Sequence, residues 1–162
     1  MDKEKDKESA FPAFSRSDDG VPLCWGCAAE SSRTCKLGVQ RIDVDSISQS
    51  STGTVACPAS WQGGPGVAHG GWITCVFDEV LGSLPAALDV PCVTASLEVT
   101  FRKPVPVERA LTVTAWVAER RHRRWVIEGV MRVEGDADVV YARGVAKFVE
   151  PALNHFEKTR GG

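Results

Sequence analysis

The 162-residue sequence contains no apolar run approaching the roughly 20 residues that cross a bilayer, so a membrane-spanning helix is not expected. Its first ten residues, MDKEKDKESA, are charged and lack the apolar core of a signal peptide, which points to a cytoplasmic protein. There is no basic excess either. The 19 Lys and Arg against 21 Asp and Glu leave a formal net charge of -2, which argues against a general nucleic-acid binder. Histidine is scarce, with three residues at 69, 122 and 155. Cysteine is present six times, at 24, 27, 35, 57, 75 and 92, but with a single CxxC pair, Cys24 and Cys27. A closed zinc site needs about four ligands, usually two such pairs or one pair with histidines, and only Cys35 lies near this one. The cysteines are therefore read as small, free, packed thiols. Neither a metal nor a cofactor is expected, with zinc or redox chemistry at the CxxC as the alternative.

The remaining composition, 43% hydrophobic and 25% charged, is that of one ordinary globular domain able to bury a core without crosslinks. Residues 1–20, rich in alternating charge and closed by a DDG turn, read as a tail. The folded domain is expected over 21–150, followed by a short C-terminal tail over 151–162. Within it, Val39–Asp45 and Thr52–Cys57 are weak strands, and WQGGPGVAHGG at 61–71, with five glycines and a proline, is a loop. From Trp72 to Leu84 the large apolar residues fall at 72, 76, 80 and 84 and at 73, 77 and 81, two adjacent stripes of one buried helix closed by Pro85. Its other side carries Thr74, Cys75, Asp78, Glu79, Gly82 and Ser83, small residues with two acids. After Pro91 the pattern is strand throughout: Cys92–Phe101, Leu111–Val117, Trp125–Val133 and Val139–Val149. The first of these alternates Val93, Ala95, Leu97, Val99 and Phe101 against Thr94, Ser96, Glu98 and Thr100. Short turns between long strands suggest a meander. The order implies an α+β fold with one helix laid on a curved antiparallel sheet.

A carboxylate at 78 beside Val76, Phe77, Val80 and Leu81 must be hydrated, paired or functional, because burying a lone charge is expensive. On the pattern alone, Asp78 and Glu79 could simply mark the solvent side. The preceding loop ends in His69-Gly70-Gly71, so free backbone N–H groups and the positive end of the helix face whatever binds there. A thioester carbonyl that becomes negative in its transition state needs such donors.

The run HGGWITCVFDEVLG at 69–82 resembles the signature of hotdog-fold acyl-CoA thioesterases, in the branch of the phenylacetate-pathway enzymes. In that branch His-Gly-Gly opens the central helix and an Asp follows the His by nine positions, as Asp78 follows His69. VTASLEVTFRKPVP at 93–106, CWGC and KLGV at 24–27 and 36–39, and ARGVAKFV at 142–149 extend the likeness over about 21–150. The resemblance implies a hotdog fold, a long central helix wrapped by a curved antiparallel sheet. It also implies hydrolysis of an acyl-CoA thioester, with Asp78 as nucleophile or general base. The Gly71 N–H, with Gly70, would hold the oxyanion, and His69 would order the loop or touch the thioester. Thr94 would position the attacking water, with Ser96 as second choice. Where some relatives carry a loop Asn or Gln donor, this chain has Gly63 with Gln62 beside it.

Further expectations concern the acyl group and its carrier. Trp72, Phe77 and Trp61 lie near the site and could line an aromatic or a long aliphatic pocket equally well. Arg102 and Lys103, or the arginine-rich run at 120–124, would meet the phosphates of CoA or an acidic acyl-carrier protein. The sites of this branch form between subunits, so a homodimer, or a dimer of dimers, is implied. Two other readings share the fold. One is a non-catalytic acyl-CoA binder. The other is an enoyl-CoA hydratase or dehydratase, whose differently ordered Asp and His pair has no counterpart around Asp43 or Asp45.

Overall fold

The computed structural model describes residues 37–152. The expected tails and the CxxC at Cys24 and Cys27 lie outside them. The elements run β1 (Val39–Asp45), β2 (Ser50–Ala56), a 3-10 turn (Ala59–Trp61), β3 (Gln62–Gly64), β4 (Val67–Ala68), α1 (Gly70–Ala87), β5 (Val93–Phe101), β6 (Ala110–Arg121), β7 (Arg124–Val133) and β8 (Ala142–Val149). Six strands form one sheet in the order β1-β2-β6-β7-β8-β5, every neighbouring pair antiparallel, with α1 packed across one face. This is the hotdog arrangement expected from the sequence. Among the described residues no helix is long and apolar enough to cross a membrane.

The two apolar stripes of α1 are the buried face: Trp72, Ile73, Val76, Phe77, Val80, Leu81, Leu84 and Pro85 are all buried. Burial of side chains this size is worth roughly 1.5–3 kcal/mol each, and it outweighs the mediocre helix propensity of the β-branched and aromatic members. The sheet makes room for them with glycine. A side-chain carbon at Gly144 would fall 2.6 Å from Phe77, one at Gly129 2.8 Å from Leu81, and one at Gly53 2.7 Å from Val80. Gly129 and Gly144 are directly paired across β7 and β8, so together they form a hollow under the middle of the helix.

Four expectations are corrected. Pro85 does not close the helix. It lies buried inside the last turn, and the stop is made four residues on. There Asp89 adopts a left-handed φ of 56°, Val90 N–H bonds the Pro85 carbonyl at 2.9 Å and Asp89 N–H bonds the Ala86 carbonyl at 3.1 Å. That pair of bonds is a Schellman closure, which satisfies the carbonyls a helix end leaves open. The glycine-rich loop is not wholly irregular, since β3 and β4 pair into a small hairpin. The last strand begins at Ala142 and not at Val139, because Val139 N–H is held by the Asp136 carbonyl in the preceding turn. The strands after the helix are not a simple meander. β6, β7 and β8 follow one another, but β5 joins the far edge beside β8.

β5 also breaks its own alternation. Thr94 pairs with Phe148 and Ser96 with Lys147, so Ala95 is an extra residue, a β-bulge. Directly paired residues share a face of a sheet. Thr94, Leu97, Val99 and Phe101 therefore face the helix side with Phe148, Ala146, Gly144 and Ala142, while Ser96, Glu98 and Thr100 face away.

Replacing Gly144 by Ala is expected to destabilise the protein by about 1–3 kcal/mol, because Phe77 is fully buried and has nowhere to retreat. Urea unfolding checks this against Gly64→Ala, whose new methyl meets nothing within 4 Å and which is expected to be near neutral.

Candidate active site

The site is built where α1 and β5 cross. α1 presents Asp78 from its exposed side, and the bulge at Ala95 turns Thr94 toward it. Thr94 Oγ1 donates to Asp78 Oδ1 at 2.7 Å, a length typical of an O–H bond to a carboxylate. The sequence-predicted pair is thus brought together, and Ser96 is separated from it by facing the other side of the sheet. Cys75, one turn before Asp78, is half-buried; burial first, and then the Asp78 charge, raise its thiol above its ordinary value. It is a neutral neighbour and not a thiolate nucleophile at neutral pH.

The other end of the helix carries the loop residues. His69 is the N-cap: its backbone is extended, its N–H donates to the Trp61 carbonyl at 2.8 Å, and its Nδ1 accepts from Gly71 N–H at 2.9 Å. This departs from the expectation that Gly71 offers its N–H to an oxyanion, since that donor is already engaged. Gly70, the first helical residue, has no carbonyl within the helix to bond, and its N–H has no acceptor among the described residues. Gly63 approaches the same histidine so closely that a side-chain carbon there would fall 3.0 Å from His69 Cα. Gln62 is exposed and its Oε1 accepts from Gly66 N–H at 3.3 Å across the β3–β4 turn, with no partner for its amide NH2 group among the described residues.

Two residues expected in the acyl pocket belong to the core. Trp72 is fully buried with its indole N–H donating to the Leu37 carbonyl at 2.9 Å, and Phe77 is fully buried over Gly144. Trp61 is half-buried at the loop. The aromatic residue the sequence reading missed is Phe101. It is 53% exposed, and its ring edge would lie 3.4 Å from a side-chain carbon at Gly70, so it stands beside the start of the helix. Its place on the helix side of β5 was readable from the strand alternation, but its height along α1 was not. Arg102 and Lys103 follow it, both exposed, with their backbone N–H groups on the Tyr141 carbonyl and the Lys103 ammonium 6.0 Å from the Tyr141 ring. They lie at the Gly70 end, away from Asp78. Among the described residues no group of three or more His, Cys, Asp or Glu is placed to hold a metal.

A thioesterase superfamily family model matches residues 65–140, which run from the glycine-rich loop through α1 to the end of β7 and the turn beyond. Over these residues the chain is similar to the thioesterase superfamily. Over 89 residues, 55% of the chain, the sequence is 27% identical to mouse (Mus musculus) acyl-coenzyme A thioesterase THEM4, and it covers 38% of that protein. A crystal structure of a thioesterase superfamily protein aligns with a TM-score of 0.68 and 26% identity, covering 80% of this chain and 65% of that one. This chain therefore spans less than two thirds of either relative's length. The PaaI protein of the Escherichia coli phenylacetic acid degradation operon aligns at TM-score 0.59 and 19% identity, over 67% of this chain and 82% of its own. A hypothetical thioesterase protein of Streptococcus pneumoniae, solved with coenzyme A, aligns at TM-score 0.60 and 14% identity over 68% and 88% of the two chains. That streptococcal protein was also solved with an aspartate changed to alanine and with a threonine, sixteen positions later, changed to alanine. Asp78 and Thr94 have the same spacing of sixteen.

His69→Ala is expected to cost about 0.5–2 kcal/mol through loss of the helix cap, while His69→Asn, which can cap in the same way, restores most of it. Thermal unfolding of the two variants separates a capping role from a purely chemical one.

Proposed function

We propose that the protein hydrolyses an acyl-CoA thioester, with Asp78 as general base and Thr94 as the residue that holds the attacking water. The observation that carries this reading is the 2.7 Å bond from Thr94 to Asp78. It fixes one carboxylate oxygen and leaves the other free to take a proton, while the Thr94 oxygen can accept from a water between them. The family match over 65–140, the mouse relative's acyl-CoA thioesterase name and the streptococcal aspartate and threonine at the same spacing all support it.

In the proposed step, water adds to the thioester carbonyl carbon as Asp78 takes its proton. The oxyanion is met by the Gly70 N–H, whose position at the positive end of α1 favours negative charge. Collapse of the tetrahedral species breaks the C–S bond, and the proton passes from Asp78 to the departing thiolate, giving free acid and CoA thiol.

One chain cannot place both groups on one carbonyl. Gly70 and Asp78 are eight residues apart, which is about 12 Å along the helix axis. We therefore infer that the site is shared, with Gly70 from one copy serving Asp78 and Thr94 of another, in a homodimer at least. β5, which carries both Thr94 and Phe101, is an edge of the sheet among the described residues, and a second copy can continue the sheet from it.

Release of free thiol from a panel of acyl-CoAs tests the reading. Asp78→Asn is expected to lower kcat by about 10²–10⁴-fold with folding intact, the usual range for loss of a general base. Thr94→Ala should lower it less and Ser96→Ala hardly at all. Absence of turnover in the wild type, with acyl-CoA still bound, would convert the reading to a non-catalytic binder.

A further inference from the structure

The Thr94–Asp78 bond runs from β5 to α1, so its length depends on the gap between a strand and a helix. Ladder pairing alone does not fix that gap at Thr94. The register is interrupted by the bulge between Thr94 and Ser96, and the strand begins one residue earlier, at Val93. Thr94 therefore stands at a loosened point beside a strand end, where local opening costs least. A hydroxyl in such a place stays 2.7 Å from a carboxylate on another element only if packing behind it sets the distance.

Phe148 supplies that packing. It is the direct β8 partner of Thr94, and partners of this kind leave the sheet on one face with Cβ atoms about 4.5–5.5 Å apart. Its ring edge reaches α1: a side-chain carbon on Gly82 would lie 3.5 Å from Phe148 Cε1 and 3.7 Å from Cζ. Gly82 follows Asp78 by four residues and is its neighbour one turn on. The ring thus fills the space between the helix turn after Asp78 and the strand that carries Thr94, and it is 3% exposed. Its neighbour on the other side is itself held. Trp125, the β7 partner of Phe148, is fully buried, donates its indole N–H to the Glu150 carboxylate at 3.0 Å and has Arg120 4.0 Å over its ring. Arg120, Trp125, Phe148 and Thr94 are successive partners in one row across β6, β7, β8 and β5.

We propose that Phe148 is a positioning residue: wedged between Gly82 and the start of β5, it sets the gap across which Thr94 meets Asp78. It touches neither water nor thioester and acts through Thr94. Its role in the reaction rests on the proposed reading of Asp78 as base and Thr94 as water holder. A leucine in its place stays apolar but ends short of Gly82, so the start of β5 is free to shift against α1. A shift of about 1 Å between reacting groups can cost about 10²-fold in rate, far more than it costs in binding.

Acyl-CoA hydrolysis and urea unfolding are measured on the full chain, on Phe148→Leu, on Thr94→Ala and on the double variant. Phe148→Leu should lower kcat about tenfold or more with KM within about twofold. Phe148→Met, which restores the reach toward Gly82, should recover most of the rate and serves in its place if the leucine variant does not fold. In the Thr94→Ala background Phe148→Leu should cost less than about a further twofold, because the group it positions is gone. Val113→Ala, a fully buried cut on β6 with two strands between it and β5, shows what lost stability does by itself and should keep its kcat. Unchanged kcat in Phe148→Leu, losses that multiply in the double variant, or an equal loss in Val113→Ala overturns the proposal. A second readout needs no turnover. Thr94→Ala and Asp78→Ala should be coupled about two- to tenfold in the unfolding constant, and Phe148→Leu should abolish that coupling. Coupling that is absent from the wild type, or that survives Phe148→Leu, sinks the positioning role whatever the activity. Coupling lost in Phe148→Leu, in a protein that hydrolyses no thioester, keeps the positioning of Thr94 and sinks the hydrolase reading alone.

Discussion

The depth to which α1 sinks into the sheet governs nearly everything else in the molecule. Phe77, Val80 and Leu81 occupy the positions where a side chain would otherwise stand on Gly144, Gly53 and Gly129. Seating a helix this closely locks its rotation, because three side chains enter three gaps and no neighbouring rotation fits all of them. With the rotation locked, the side carrying Thr74, Cys75, Asp78 and Glu79 must face outward, where Asp78 meets Thr94. The same seating sets the helix start. Gly70 meets Phe101 at the end of β5, and His69 closes the first turn from outside.

How much of this was readable in the sequence depended on whether the signal was local. The helix was readable because two i, i+4 apolar stripes admit one solution, and its polar back followed from the same pattern. His69, Gly70 and Asp78 were readable because they lie on one continuous segment. Where the reading failed, the deciding partner lay elsewhere in the chain. Pro85 signalled a stop, but its ring is buried against the core and the helix runs on to a closure made by Asp89 and Val90. Trp72 had the composition of a pocket residue, yet its indole N–H finds the Leu37 carbonyl in the core. Alternation placed Thr94 and Ser96 on one face. Only the pairing of β5 with β8 reveals the extra residue at Ala95 that sends them to opposite faces.

That bulge has chemical weight beyond its geometry. A regular β5 would carry Thr94 on the outer face with Ser96, and Asp78 would stand alone on the helix. One additional residue in an edge strand, where the lost ladder bond costs least, rotates a single hydroxyl toward the carboxylate and leaves the rest of the strand in register from Ser96 to Phe101. The edge position explains why the irregularity is tolerated. It also places the proposed water-holding residue at the border where a second copy would join.

The separation of donors and base along α1 follows from the same layout. A helix offers open N–H groups at its start alone, and a carboxylate with a threonine partner is available only where β5 crosses, two turns further on. No rotation of α1 within one chain brings these together. A second copy related by a two-fold axis along the β5 edges can, since two-fold pairing sets the start of one element against the middle of its counterpart. On the proposed reading, the helix that cannot complete a site by itself contributes half of each of two, and the edge position of β5 is what allows the halves to meet.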